Sequence, residues 1–342
     1  MEENKKLKFA IIGCGHIGKR HAEMVFRDDH CELAAIVDLK PKESLGLNYG
    51  NVPYFSSLEE FLDSGTSVDV ANIATPNGYH AKQAIACLDK GMNVVIEKPM
   101  ALHKQDAESV IFKALQKHLN VFVVMQNRFS PPSVWMKEMI ETGKLGNIFL
   151  VQVNCYWNRD ERYYRAGGWH GTLEWDGGTL FTQFSHFVDI MYWLFGDINN
   201  IKASFANFNH DGLTEFEDSG IISFDFVNGG KGSINYSTSV WSENLESSMT
   251  VIGEKGTVKI GGQYMNEVVY CNVADYQMPE LPKTNPGNDY GPYKGSAANH
   301  HYVIENVVDV LRNGSTINTN ALEGMKVVDI IERIYSLKQG GR

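Results

Sequence analysis

Apolar residues run in short unbroken blocks through roughly the first 125 positions and alternate with polar ones afterwards, so the chain carries the patterns of two different sheets. Leu7 to Ile12, Leu33 to Val37, Val68 to Ala74, Asn93 to Ile96 and Asn120 to Met125 have strand length and are closed by polar or turn residues. Tyr54-Phe55 adds a brief strand. Helical spacing lies between the blocks: from near His16, over Ser57 to Ser64, over Ala81 to Lys90 with Gly91 as its stop, and over Lys104 to His118. Strand and helix in alternation predict a doubly wound parallel sheet. After about Phe129, one helix (Ser133 to Thr142) precedes period-two runs at Ile148 to Trp157, Ile201 to Phe208, Ser219 to Val227, Gly232 to Trp241, Met249 to Gly253, Thr257 to Ile260 and Val268 to Val273. Turns such as Asn228-Gly-Gly230 and Glu254-Lys-Gly256 join them, which predicts an open, mainly antiparallel sheet with helices on one face. Pro279, Pro282, Pro286 and Pro292 mark a long surface loop between Gln277 and Asn299, of the kind that serves as a lid or subunit arm. Helices over Asn299 to Arg312 and Asn320 to Leu337 close the chain.

The first turn changes the picture from fold to chemistry. Gly13, Gly15 and Gly18 form a Gly-x-Gly-x-x-Gly loop with His16 and Ile17 inside it, directly after a strand and at the start of a helix. In that context the glycines give a tight turn, a close approach to pyrophosphate and helix-on-strand packing, and the helix N-terminus favours the anion. Asp38 ends the second strand twenty residues beyond Gly18, the position of an acid that accepts from adenosine ribose hydroxyls. A carboxylate there repels a 2'-phosphate, so NAD is expected over NADP, with Lys40 leaving NADP open. The expected architecture is α/β, with a Rossmann domain over residues 1–128 and an α+β substrate-binding and oligomerisation domain over 129–342. Ligands bind outside the carboxyl ends of parallel strands, which adds Thr75, Pro76, Asn77, His80, Glu97, Lys98, Gln126 and Asn127 to the cofactor side.

At 342 residues with 43% hydrophobic and 21% charged residues, the chain suits two soluble domains with a cleft. A net charge of -10 argues against nucleic acid or an anionic membrane as partner. Five scattered cysteines without a Cys-x-x-Cys pair indicate neither disulfides nor zinc, and no run has the length of a membrane span. The first residues pass into a strand without a signal-type segment, and a cytoplasmic location is expected.

Three clusters carry candidate chemistry. Lys98, in Glu97-Lys98-Pro99, is placed to hold a substrate hydroxyl; a solvated lysine at a strand end would give the same pattern. The apolar segment Trp175 to Gly196, read as one helix from about Thr179, carries Thr182, His186 and Asp189 on one stripe. His186 suits the base that takes a hydroxyl proton as hydride leaves, although buried histidines are often only hydrogen-bonded core residues. Tyr156, Arg159, Arg162, Tyr163, Arg165, Trp169 and His170, with Arg128, suit a carboxylate or diphosphate and a stacked ring, or equally an oligomer interface or a salt-bridged loop. His300 and His301 are adjacent and point apart on a helix without an acid at ligand spacing, so no metal site is expected.

Together Gly13-Cys-Gly-His-Ile-Gly18, Thr75-Pro-Asn-Gly-Tyr-His80, Glu97-Lys-Pro99 and the segment carrying His186 resemble the glucose-fructose oxidoreductase, inositol dehydrogenase and rhizopine-catabolism (Gfo/Idh/MocA) family. The resemblance covers nearly the whole chain. It implies an NAD-dependent dehydrogenase acting on a small-molecule sugar or nucleotide sugar, a homodimer or homotetramer, and Lys98 and His186 around the reacting carbon. Many members carry Asp four residues before the histidine; here Thr182 stands there, and Asp189 or a substrate group is left to substitute. Val153 to Arg159, Trp169 to Gly178 and Asn244 to Gly262 are most similar to UDP-N-acetyl-glucosaminuronate 3-dehydrogenases. The resemblance leaves open a glycosidase working by transient C3 oxidation, a myo-inositol or free-sugar dehydrogenase, and a non-catalytic sensor of NAD or sugar.

Overall fold

The computed structural model describes residues 5–165, 168–291 and 293–338, and the chain divides into two compact units. The first is built from β1 (Leu7–Ile12), α1 (His16–Arg27), β2 (Cys31–Val37), α2 (Lys42–Leu45), β3 (Tyr54–Phe55), α3 (Leu58–Asp63), β4 (Val70–Ile73), α4 (His80–Asp89), β5 (Asn93–Ile96), α5 (Lys104–Lys117) and β6 (Val121–Val123). Its six parallel strands lie in the order β3-β2-β1-β4-β5-β6, so the direction of winding reverses between β1 and β4. Phe9, Ile11, Ile12, Ile36, Ile73 and Ile96 are almost entirely buried, as strands covered on both faces require. Register places Ile12 beside Ile73 and Ile73 beside Ile96, so the turns after β1, β4 and β5 leave one edge of the sheet at the same level.

The second unit begins with α6 (Pro131–Glu141), β7 (Ile148–Tyr156), α7 (Glu161–Tyr164), α8 (Thr179–Thr182) and α9 (Ser185–Phe195). It continues with β8 (Ile198–Ala206), β9 (Ser219–Phe226), β10 (Lys231–Ser237), β11 (Glu246–Gly253), β12 (Gly256–Gly261), β13 (Glu267–Val273), β14 (Gly287–Asp289) and β15 (Lys294–Ala297). Seven strands form one sheet in the order β13-β12-β11-β7-β10-β9-β8, antiparallel except for the central β7–β10 pair. Along β9 and β10 the inward residues Ile222, Phe224, Phe226, Ile234 and Tyr236 are buried, while Ile221 on the opposite face of β9 is exposed. Phe184 and Phe187 pack edge-on to Trp157 beneath this face.

Three expectations change here. The segment from Thr179 to Gly196 is two helices broken at Gln183 and Phe184, with Thr182 at the end of one and His186 at the start of the next. The proline-rich stretch from Gln277 to Asn299 contains the β14–β15 hairpin, fastened by a hydrogen bond from Tyr264 Oη to Asn285 O (2.5 Å); Pro292 lies outside the described residues. One cut near residue 128 does not divide the chain, because α10 (His300–Asn313) and α11 (Ala321–Tyr335) follow and residues 300–328 group with the first unit. α10 packs on α1, Val123 donates its N–H to Thr319 O (2.9 Å), and Gly324 of α11 lies against Val123. Among the described residues no helix is long and apolar enough to cross a membrane.

Candidate active site

The glycine loop joins β1 to α1 at the level edge of the first sheet. Gly13 has φ +85°, and a Cβ there would meet Ala74 O at 2.8 Å; at Gly18 it would meet Gly13 O at 1.8 Å. Gly15 differs: its φ is -66°, and apart from its own chain neighbours no described residue lies within 4 Å of where its Cβ would stand. That opening, before a helix with no acidic residue in its first turn, fits the pyrophosphate of a dinucleotide. Asp38 follows β2, one oxygen accepting the Cys14 N–H (2.6 Å) and the other the Lys40 N–H (2.8 Å). Each oxygen keeps a second lone pair for a ribose hydroxyl.

The turns after β4 and β5 are tied together. His80 is buried, with Nδ1 2.7 Å from Pro99 O and Nε2 2.8 Å from Thr75 O. Burial holds its pKa below the ordinary imidazole value against the pull of these carbonyls. Thr75 Oγ1 donates to Gln83 (2.6 Å), and Asn77 is buried in the 3-10 turn that leads into α4. Lys98 is half-buried beside the buried Glu97. Burial alone would raise the Glu97 pKa, but the hydrogen bond from His21 and the charges of His21, His300 and Lys98 overcome it and hold the carboxyl at about 2.

His21, Glu97 and His300, all buried, form a group absent from the sequence reading, in which His300 had no acidic partner. Glu97 Oε1 lies 2.8 Å from His21 Nε2 and 3.7 Å from His300 Nε2. The residue types are those of a metal-binding set. A carboxylate oxygen at 2.8 Å from the His21 nitrogen nevertheless requires a proton between them, so that nitrogen serves as a donor. Burial pushes the His300 pKa down to about 3 despite Glu97.

In the second unit the 3-10 turn Gln126–Phe129 buries Gln126, Asn127 and Arg128. Gln126 Nε2 is 3.2 Å from His186 Nε2 and donates to Ser296 Oγ at 3.3 Å; Asn299 Nδ2 donates to the Gln126 carbonyl (3.3 Å) and to Ser130 Oγ (3.1 Å). Arg128 and Asp189 form a buried pair, Nε to Oδ2 at 2.8 Å and Nη2 to Oδ1 at 2.5 Å, beside the Trp193 ring. Both Asp189 oxygens thus accept from Arg128, so the carboxylate expected to stand behind His186 and the arginine expected at the substrate meet in a buried ion pair. Thr182 Oγ1 donates to both the carbonyl and the carboxylate of Asp176. Asp176, which the sequence reading did not single out, also accepts the Gly171 N–H (2.7 Å) and lies 3.9 Å from His170 Nδ1.

The arginine and aromatic cluster separates into two parts. Arg159 is 2% exposed, donates to Gln183 (2.7 Å), Asn158 O (2.6 Å), Asn244 (3.2 Å) and Lys294 O (3.0 Å), and lies over Trp157, Tyr163 and Tyr293. It is a cross-link rather than an anion-binding group, which corrects that expectation. Tyr163 is buried and accepts from Gln183 (2.8 Å). Arg162 and Arg165 are exposed and paired with Asp160 and Glu161. Tyr156 is half-buried on β7, its hydroxyl 3.4 Å from Asn154. An aromatic file runs Tyr290, Tyr293, Tyr163, His170, Trp169, with successive ring centres 5.1, 5.0, 4.3 and 3.8 Å apart. Tyr290 and Tyr293 come from the hairpin, and no periodicity marked them.

Residues 7–125 match the oxidoreductase family with an NAD-binding Rossmann fold, and residues 134–259 match the GFO/IDH/MocA C-terminal domain. The WlbA dehydrogenase from Bordetella pertussis, solved with NADH and UDP-GlcNAcA, is 32% identical, with 97% of this chain and 96% of that one covered and a TM-score of 0.85. A second WlbA, from Chromobacterium violaceum and solved with the same two ligands, is 30% identical over 98% and 94% of the two chains, with a TM-score of 0.87. Glucose-6-phosphate 3-dehydrogenase from Bacillus subtilis is 26% identical over 83% of each chain. With the glycine loop and Asp38 as described, these likenesses establish that the chain belongs to the Gfo/Idh/MocA family of oxidoreductases and that its cofactor is NAD.

Proposed function

We propose that the protein oxidises a secondary alcohol of a nucleotide sugar, with C3 of a UDP-N-acetylated uronic acid as the substrate position, and passes the hydride to NAD. The observation that carries this reading is the near-full-length likeness to two WlbA dehydrogenases, each solved with NADH and UDP-GlcNAcA. Trp169 at the end of the aromatic file supports it as a stacking surface, and the exposed Arg162 and Arg165 as cations for diphosphate or carboxylate.

In this reading Lys98 donates a hydrogen bond to the carbinol oxygen, and His186 takes the hydroxyl proton. NAD, when bound, supplies the electron-poor ring that accepts the hydride. Gln126 suits the histidine's two states. Its Nε2 faces the ring nitrogen, while its Oε1 is buried with no hydrogen-bond partner among the described residues, so a half-turn of the amide presents an acceptor once the ring is protonated. A neutral amide thus faces the His186 ring, and Thr182 stands at the position where many relatives carry a carboxylate.

The test is to incubate the protein with NAD and a panel of UDP-sugars, UDP-uronic acids, sugar phosphates and polyols, following reduced cofactor spectroscopically. Reduction with a UDP-N-acetylated uronic acid and not with the UDP-sugar that lacks its carboxylate supports the reading; a response confined to polyols or sugar phosphates overturns it. Lys98→Met is expected to abolish turnover while NAD binding persists.

A further inference from the structure

We propose that His21 is a positioning residue for the lysine-bearing turn, acting through the Glu97 carboxylate; this rests on Lys98 being the group that holds the substrate. Glu97 is gripped at both oxygens. Oε1 accepts the His21 Nε2–H at 2.8 Å, and Oε2 accepts the backbone N–H of Lys98 at 3.2 Å. His21 lies on α1, which follows the phosphate-binding glycines, whereas Lys98 follows β5. One carboxylate therefore bridges the phosphate-binding helix and the turn that carries the amine.

The surroundings fix this bridge. Asn72 on β4 contacts His21 Nδ1 at 3.2 Å and sets the ring's rotation. His300 stands edge-on to His21, with ring centres 5.6 Å apart and planes at 86°, and closes the remaining side of the carboxylate. His21, Asn72 and His300 are each 1% exposed and Glu97 7%, so no water competes for the carboxylate with the strength it has at a surface. His80, contacting Pro99 O at 2.7 Å, holds the far end of the same turn. A side chain that touches neither cofactor nor substrate thus determines where the lysine backbone sits, and a displacement of about 1 Å at a catalytic group costs on the order of 100-fold in rate.

His21→Met removes the donor, and His21→Gln returns an amide N–H to the position of Nε2. With the active sugar substrate, His21→Met is expected to lower kcat at least 30-fold with both KM values within threefold of the parent, and His21→Gln to recover to within fivefold. Independently of any substrate, Lys98 is followed by reductive methylation and peptide mass spectrometry. In His21→Met its labelling relative to the other lysines is expected to rise at least threefold, and in His21→Gln to return to the parent value. If His21→Met fails to fold around the unpaired carboxylate, the His21→Met/Glu97→Gln double variant removes that charge and carries the same expectations. Parent-like kcat and labelling in the folded variant overturn the proposal, as does a kcat loss matched by the loss of folded protein. Stoichiometric metal in the purified parent, lost in His21→Met, also overturns it, since that nitrogen would then be a ligand. If Lys98→Met retains turnover, the catalytic reading fails on its own, and the labelling still decides whether His21 positions the turn.

Discussion

Replacing Asp189 with alanine leaves the Arg128 guanidinium, 4% exposed at its side chain, without the carboxylate that receives two of its N–H groups at 2.8 and 2.5 Å. Removing one partner of a buried ion pair costs roughly 3–5 kcal/mol. The cation–π contact with Trp193 survives, which favours the lower end. Against a domain stability of roughly 5–15 kcal/mol the loss is large. It corresponds to a fall in melting temperature of about 6–20 °C, read by calorimetry or by circular dichroism. Because this carboxylate faces Arg128, kcat per folded molecule is expected within about threefold of the parent at a temperature where the variant is folded. A variant that melts like the parent but loses kcat would refute the assignment and return Asp189 to the proton path.

Three further outcomes are expected. Gly15→Ala keeps its backbone conformation and meets no described residue beyond its own chain neighbours, so it is expected to fold and melt normally while its methyl crowds the phosphate approach; titration calorimetry should show NAD bound at least about tenfold more weakly. Arg159→Ala leaves buried acceptors and stacked rings unfilled and should cost roughly 2–4 kcal/mol in denaturant unfolding, whereas Arg162→Ala should melt like the parent and raise the KM for a nucleotide-sugar substrate. Acid should weaken the first unit. His300 is held neutral down to about 3 and Glu97 charged down to about 2, both below their unfolded values, so each contributes stability that is complete above the unfolded pKa and is lost as pH falls towards the folded one. Urea midpoints should therefore drop from about pH 6.5 downward, and His300→Gln should flatten the part between about pH 6.5 and 4.

Local patterns carried the parts of this molecule that depend on neighbours in sequence. The apolar blocks of β1, β2, β4 and β5, the glycine loop and the position of Asp38 each follow from residues a few places apart, because a strand buried on both faces and a turn before a helix have local signatures. Alternation in β9 and β10 revealed the second sheet for the same reason. What stayed hidden depends on long-range pairing. No glycine or proline marks the break at Gln183 and Phe184, and an apolar run reads the same whether one helix or two cover it. Arg128 and Asp189 are 61 residues apart, and only folding turns two separate charges into a pair. Glu97 lies 76 residues from His21 and farther still from His300, so no spacing rule unites them. The proline-rich stretch hid the Tyr290 and Tyr293 hairpin because its content points to a loop whatever that loop packs against.

The central claim is hydride transfer from a sugar carbinol with Lys98 in attendance, and a deuterium-transfer experiment tests it most directly. A UDP-N-acetylated uronic acid carrying deuterium at C3 is incubated with the protein and NAD, and the reduced cofactor is analysed by mass spectrometry. Deuterium should appear in the NADH formed by the parent, and none should appear with Lys98→Met, whose NAD affinity stays unchanged. NADH without the label, or labelled NADH from Lys98→Met at the parent rate, would contradict the account.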